Sequence, residues 1–198
     1  MMASSSRFSL PFLAVTAGLA SFVTAPPPLA AQAVSNSAEF EAWRKVQTED
    51  IDGLRQKFMA LAKAVPANKL GWRPMEGTRS FHDVFAHVAA EGNTETAMFG
   101  DKLPAGSLAD FDAEEARLRR LPDDQLIAAL DKSMQSLSTT LAGLSLDKMN
   151  TSIVYYGRPT LPRIAATYTL NDLHEHLGQL VSYARVNQIV PPWSKKTG

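Results

Sequence analysis

Cysteine is absent from all 198 residues, which removes disulfides, thiolate metal ligands, cysteine nucleophiles and a lipid-modified cysteine behind a leader. An excess of one charge is equally lacking. The 20 basic and 20 acidic residues are spread along the chain, so no basic face stands ready to neutralise phosphates, and a nucleic-acid partner is not expected. Long unbroken apolar runs are missing too. The nearest, Phe8 to Val23, is interrupted by Pro11, Thr16, Gly18 and Ser21, and is short for a membrane span of ~20 strongly apolar residues.

That stretch fits a leader instead. From Met1 to Ala33 the only charged residue is Arg7, the centre is apolar, Pro26-Pro27-Pro28 breaks it, and Ala31-Gln32-Ala33 offers the small residues a leader peptidase accepts. The expectation is a signal peptide over residues 1–33 and one domain over residues 34–198, exported to the periplasm or beyond, with no stable membrane anchor after cleavage. Losing Arg7 and no acid leaves the remainder near neutral.

What is present is helical periodicity. Phe40, Trp43, Val46, Ile51, Leu54, Phe58, Leu61 and Val65 recur at helical spacing, with Ser37 as the expected N-cap and Pro66 as the stop. Gly71, Pro74 and Gly77 punctuate a connection, and Ser80 caps a second helix whose apolar face is Phe81, Val84, Phe85 and Val88. A Pro- and Gly-containing interval, residues 100–112, precedes a short charged helix near 113–120. Pro122 then opens a third long helix striped with Leu126, Leu130, Met134, Leu137, Leu141 and Leu144. Residues 152–156 have β character within a long ordered loop. A fourth long helix, about 163–187, carries Leu170, Leu173, Leu177, Leu180 and Ala184 and ends before Pro191-Pro192. Four apolar stripes that must cover one another predict an all-α four-helix bundle.

The four histidines fall on two of these helices. On the fourth, Asp172, His176, Gln179 and Tyr183 share one stripe beside the leucines, and His174 points about 160° away from His176. On the second, His87 stands about 60° from Val84, at the margin of the apolar face. Two margins facing across a bundle bring His87 and His176 into one cleft, and Asp172 adds a carboxylate. Two imidazoles and a carboxylate suit a divalent ion such as zinc or nickel with positions left for water or substrate. The same spacing also describes an ordinary solvated Asp–His ion pair. Glu91, one turn beyond His87, is a candidate to orient that imidazole. His82 is assigned to capping or solvent, Trp72 and Trp193 to packing over bundle ends, Arg185 to a surface ion pair, and Tyr155 and Tyr156 to the wall of the cleft.

Two blocks carry a family resemblance. Asn171-Asp172-Leu173-His174-Glu175-His176-Leu177-Gly178-Gln179-Leu180, continued by Tyr183-Ala184-Arg185 and Val190-Pro191-Pro192-Trp193, resembles the last helix of DinB-like proteins. Trp72-Arg73-Pro74 and Arg79-Ser80-Phe81 leading into Ala86-His87-Val88-Ala89 resemble that family's first loop and second helix. The resemblance implies an up-down-down-up four-helix bundle with one long crossover, frequent homodimers, and a divalent metal held by three histidines near one end. By position, two of these are His87 and His176. The third falls at Asp172, where this chain departs from the family pattern.

Two functions compete on these grounds. One is a metal-dependent hydrolase or transferase acting on a small molecule, with metal His87, Asp172 and His176 and water as the activated group; export would keep cytoplasmic thiol cofactors out of reach. The other is a non-catalytic bundle that binds a small molecule or a protein through a degenerate metal site, a reading suited to the missing nucleophile.

Overall fold

The computed structural model describes residues 36–194; the expected leader and its cleavage point lie outside them. Four long helices form the frame: α1 (Ser37–Ala64), α2 (Phe81–Met98), α4 (Asp123–Ala142) and α6 (Pro162–Val186). A short α3 (Phe111–Leu118) lies in the crossover between α2 and α4. A single turn, α5 (Leu146–Met149), and a hairpin of β1 (Ile153–Tyr155) and β2 (Arg158–Thr160) connect α4 to α6. None of the described helices is long and apolar enough to cross a membrane.

Each long helix begins where local chemistry directs it. Asn36 caps α1, its Oδ1 accepting from the backbone of Ala38 at 2.8 Å; Ser37, the expected cap, is instead the first helical residue. Ser80 and Asp83 form a reciprocal capping box on α2. Pro122 precedes α4, and Pro162 opens α6, where its missing N–H costs nothing.

Contacts between named residues set the directions. Asp52 on α1 meets Ser138 on α4 while Arg55 meets Asp131, so these two helices run antiparallel. His82 pairs with Asp123 and Gly92 packs on Ser133, so α2 and α4 run parallel. His87 lies beside His176, and Glu95 and Thr169 share Tyr155 as a hydrogen-bond partner; α2 and α6 are therefore antiparallel. The bundle is up-down-down-up, with residues 99–122 as the long crossover. In its core α1 contributes Ile51, Leu54, Phe58 and Leu61, and α4 contributes Leu126, Leu130, Met134, Leu137 and Leu141.

The second helix differs from an amphipathic reading. Beyond the first turn it is buried almost all round: Ala86 to Thr96 are buried without a break, including His87, Glu91, Asn93, Thr94 and Glu95. The reason is tertiary. α4 and α6 cover two sides, while α3 and the hairpin lie over what would have been its solvent face. Polar groups buried in this way need partners, and the crossover supplies them: Asn93 donates to Glu114 Oε1 at 2.8 Å, and Glu115 reaches His87.

Candidate metal centre

The i, i+4 spacing of α2 places His87 and Glu91 one above the other on its α6-facing side, and the same spacing on α6 does so for Asp172 and His176. One ligand atom from each of the four lies within 4.8 Å of all the others. His87 Nε2 is 3.1 Å from Glu91 Oε1. His176 Nε2 is 3.7 Å from both Glu91 Oε1 and Asp172 Oδ2, close to the ~3.4 Å between ligands of a tetrahedral ion with bonds of ~2.1 Å. The imidazole rings stand edge to face at 4.6 Å.

Both imidazoles are held from behind. His87 Nδ1 lies 3.1 Å from Glu115 Oε2, and Glu115 is in turn gripped by Arg119 and approached by Arg79 Nε at 3.5 Å. His176 Nδ1 lies 3.2 Å from Gln179 Oε1; Gln179 Nε2 donates to the Tyr183 hydroxyl at 2.8 Å, which donates to the Arg79 carbonyl. With Nδ1–H donated outward on each ring, Nε2 of each faces the centre. Rings fixed in this way are oriented as metal-ligating histidines are.

Four titratable groups in so small a space must share protons and charge. Burial alone would raise Glu91, but hydrogen bonds from His176, His87 and Asp172 outweigh it and hold Glu91 well below the usual carboxylate range. Asp172 moves the other way: hydrogen bonding to the Glu91 carboxylate, then burial, push it up to about 7. Burial would lower His176, yet its hydrogen bond to Glu91 and the charges of Glu91 and Asp172 raise it. Glu91 is therefore the fixed anion of the cluster, and the protons that bind the others to it occupy positions a cation could take.

The donor set also fits a divalent ion. Glu91 Oε2 is buried with no hydrogen-bond partner among the described residues, an expensive state for a carboxylate oxygen unless something positive approaches it. Asp172 is 47 % exposed, so one side of the cluster stays open. Sequence reasoning reached His87, Asp172 and His176, and the fold brings these together. It placed Glu91 as an orienting group; the structure puts Glu91 at the centre and gives the orienting role to Glu115, whose position on the crossover no spacing reveals. The mutual i, i+4 positions of His87 and Glu91 were the available signal.

The sequence profile of the DinB superfamily matches residues 50–180, about two thirds of the chain and all four cluster residues. The chain belongs to the DinB superfamily. No curated protein matches it. Within this DinB protein the other assigned residues divide. His174 faces away from the cluster and pairs with Asp50 on α1 at 3.0 Å. His82 Nδ1 lies 2.7 Å from Asp123 Oδ1, tying the start of α2 to that of α4, which is more than a solvated cap. Trp72 does close a bundle end, against Phe81 and Tyr183, whereas Trp193 is 41 % exposed. Arg185 makes no ion pair with any described residue.

One turn deeper on α2 sits a second carboxylate that sequence reasoning missed. Glu95 is buried, its Oε1 accepting from Tyr155 at 2.6 Å and from Tyr156 at 3.4 Å. Burial and the charge of Glu91 push its carboxyl up to about 8, so near neutral pH it keeps its proton. Burial, reinforced by Glu95, pushes both phenols up as well, and they remain donors.

Proposed function

We propose that this DinB protein is an exported, divalent-metal-dependent enzyme acting by hydrolysis on a small molecule, with His87, Glu91, Asp172 and His176 holding the ion. The carrying observation is the convergence of two helix-borne i, i+4 pairs on one point, with a buried Glu91 oxygen left without a partner. Two nitrogens and two carboxylates suit zinc or nickel, and the second carboxylate also accommodates harder ions. Such an ion supplies Lewis acidity and brings the pKa of a water into the neutral range. The chain's own groups do the rest. Glu115 and Gln179 hold the imidazoles in line, α3 and the hairpin exclude bulk solvent from the α2 side, and the half-exposed Asp172 leaves an approach for substrate.

Export is supported by the leader pattern of residues 1–33, and an exported enzyme would work apart from cytoplasmic thiols, which favours hydrolysis over thiol transfer. The protein is expected as a homodimer without nucleic-acid affinity. Elemental analysis of the purified chain tests the central reading: one equivalent of a divalent ion, lost in His176→Ala, is expected, whereas equal loading of the two proteins removes it. Intact mass of exported material should correspond to a chain beginning at Val34.

A specific observation supports a second reading, a non-catalytic binding bundle. His87 and Glu91 already satisfy one another at 3.1 Å, so the cluster can stand as an ion-pair network without metal. Chelator-insensitive ligand stabilisation that survives His87→Ala would favour it.

A further inference from the structure

The hairpin leaves a cavity of about 470 Å³ between itself and the first turns of α6, within the ~300–1,000 Å³ usual for small-molecule sites. Tyr155, Tyr156, Tyr168 and Ile164 form its walls, and Arg158 stands among them. Residues of its lining lie within one helical turn of the cluster or bond to a neighbour that does. Tyr168 lies one helical turn before Asp172 on the same stripe of α6, and Tyr155 and Tyr156 are bonded to Glu95, one turn from Glu91.

Its lining has a definite chemistry. The hydroxyls of Tyr155 and Tyr156 are committed inward to Glu95, so what they turn to the cavity is ring surface. The Tyr155 and Tyr156 rings meet edge to face at 4.8 Å, and Tyr168 lies nearly parallel to Tyr155 at 6.5 Å, a geometry that presents flat aromatic faces. Tyr156 is held there at φ 45°, followed by Gly157 at φ 76°. A tyrosine in the left-handed region is costly, and the backbone keeps it where a glycine or asparagine would serve the turn more easily.

Among the described residues the charge at this opening is positive and uncompensated. Arg158 forms no ion pair with any described residue. Neither does Arg163, which lines an adjoining groove of about 390 Å³ with Trp43, Ile164 and Tyr168. Of the carboxylates beside these tyrosines, Glu95 is buried behind Tyr155 and Tyr156, and Asp172, one turn from Tyr168, is turned toward His176. An exposed guanidinium between aromatic walls matches a planar anion, because Arg pairs bidentately with carboxylate while the rings stack on an aromatic group.

We infer that this cavity is the substrate subsite and takes a small planar aromatic carboxylate, its ring against Tyr156 and Tyr168 and its carboxylate on Arg158. The word substrate rests on the proposed metal enzyme; binding itself does not. The test uses 2-naphthoate as probe, with benzylamine and cyclohexanecarboxylate as controls, titrated by calorimetry into the full exported chain after chelator treatment, so that no ion can ligate the acid. Naphthoate should bind, cyclohexanecarboxylate more weakly, and benzylamine not measurably. Arg158→Gln and Tyr168→Ala, both at exposed positions, should each weaken naphthoate about tenfold or more, while His176→Ala leaves it unchanged. Unaltered affinity in Arg158→Gln and Tyr168→Ala, or equal binding of benzylamine, overturns the subsite, as does binding seen only with metal present and lost in His176→Ala. Failure of the metal reading shows separately, as equal ion loading of His176→Ala and the parent, and leaves the naphthoate result standing.

Discussion

His87 and Glu91 stand 3.1 Å apart, Nε2 to Oε1, one turn apart on a helix buried on nearly every side. The pair is unusual in being both internally matched and incomplete, since the second Glu91 oxygen has no partner among the described residues. Glu91→Gln keeps the shape and removes the charge. Metal affinity, measured by competition with a chromophoric chelator, should fall at least about tenfold, by comparison with the ~10–100-fold cost of altering groups that merely support metal ligands. In the metal-free protein the His176 imidazole, followed by NMR titration, should titrate at lower pH than in the parent, because its hydrogen bond to Glu91 is what raises it. An unmoved His176 would show that Glu91 is not the anion of the cluster.

The same shifts set a pH dependence with a defined sign. Asp172 is raised from 3.8 to about 7 in the folded chain, so folding favours its protonated form and this contribution fades as pH climbs from about 4 through 7. His176 is raised too; its contribution is complete below its ordinary 6.5 and is lost as pH rises through the folded value. Glu91, depressed, contributes above its ordinary 4.5 and loses that contribution in acid. Metal-free protein should therefore lose thermal stability on going from mildly acidic to alkaline pH. Metal binding requires both groups deprotonated, so added ion should raise the melting temperature more at pH ~8 than at pH ~5.5. Metal stabilisation that is flat across this window would argue against Asp172 and His176 as ligands.

Glu95→Gln isolates the inner carboxyl. With its pKa raised from 4.5 to about 8 and both phenols donating to it, Glu95 is neutral near pH 7, and its contribution to stability falls as pH climbs from about 4.5 through 8, where the unfolded chain ionises it and the fold does not. The amide cannot ionise. The difference in melting temperature between variant and parent should shift in favour of the variant between pH ~5 and ~9; a pH-independent difference would mean that Glu95 is not held protonated.

Gly92 links packing to the site. A Cβ there would lie 3.0 Å from Ser133 Oγ and 3.1 Å from the Ser133 carbonyl carbon, so α2 and α4 touch backbone to side chain at the residue next to Glu91. Gly92→Ala should destabilise by about 1–3 kcal/mol in denaturant unfolding, the usual range for forced overpacking. Adding Ser133→Gly should recover only part of that loss, because the backbone contact remains. Full recovery would mean that the Ser133 side chain alone sets the spacing.

Much of the bundle was legible because its signals are local. The leucine stripe from Leu126 to Leu141, the Ser80 cap and Pro162 at the first position of α6 each act within one or two turns. The short extended stretch expected near Tyr155 is one strand of a hairpin, and its partner at Arg158–Thr160 was less visible because a proline stands in it. The burial of α2 was not legible. Asn93, Thr94 and Glu95 are polar positions whose burial follows only from α3 and the hairpin laid over them, and Glu115 reaches His87 from 28 residues away through a crossover whose path no periodicity describes.

By itself the sequence determined the helices and their order, and set Asp172 and His176 on one stripe of the last helix, since periodicity and i, i+4 spacing are properties of a single helix. Tertiary structure decided that Glu91 sits among them, that Glu115 and Gln179 aim the imidazoles, and that Tyr155 and Tyr156 close on Glu95. Those relations depend on the register between antiparallel α2 and α6 and on where the crossover lands. Both are set by the whole core packing at once, which no single stretch of chain encodes.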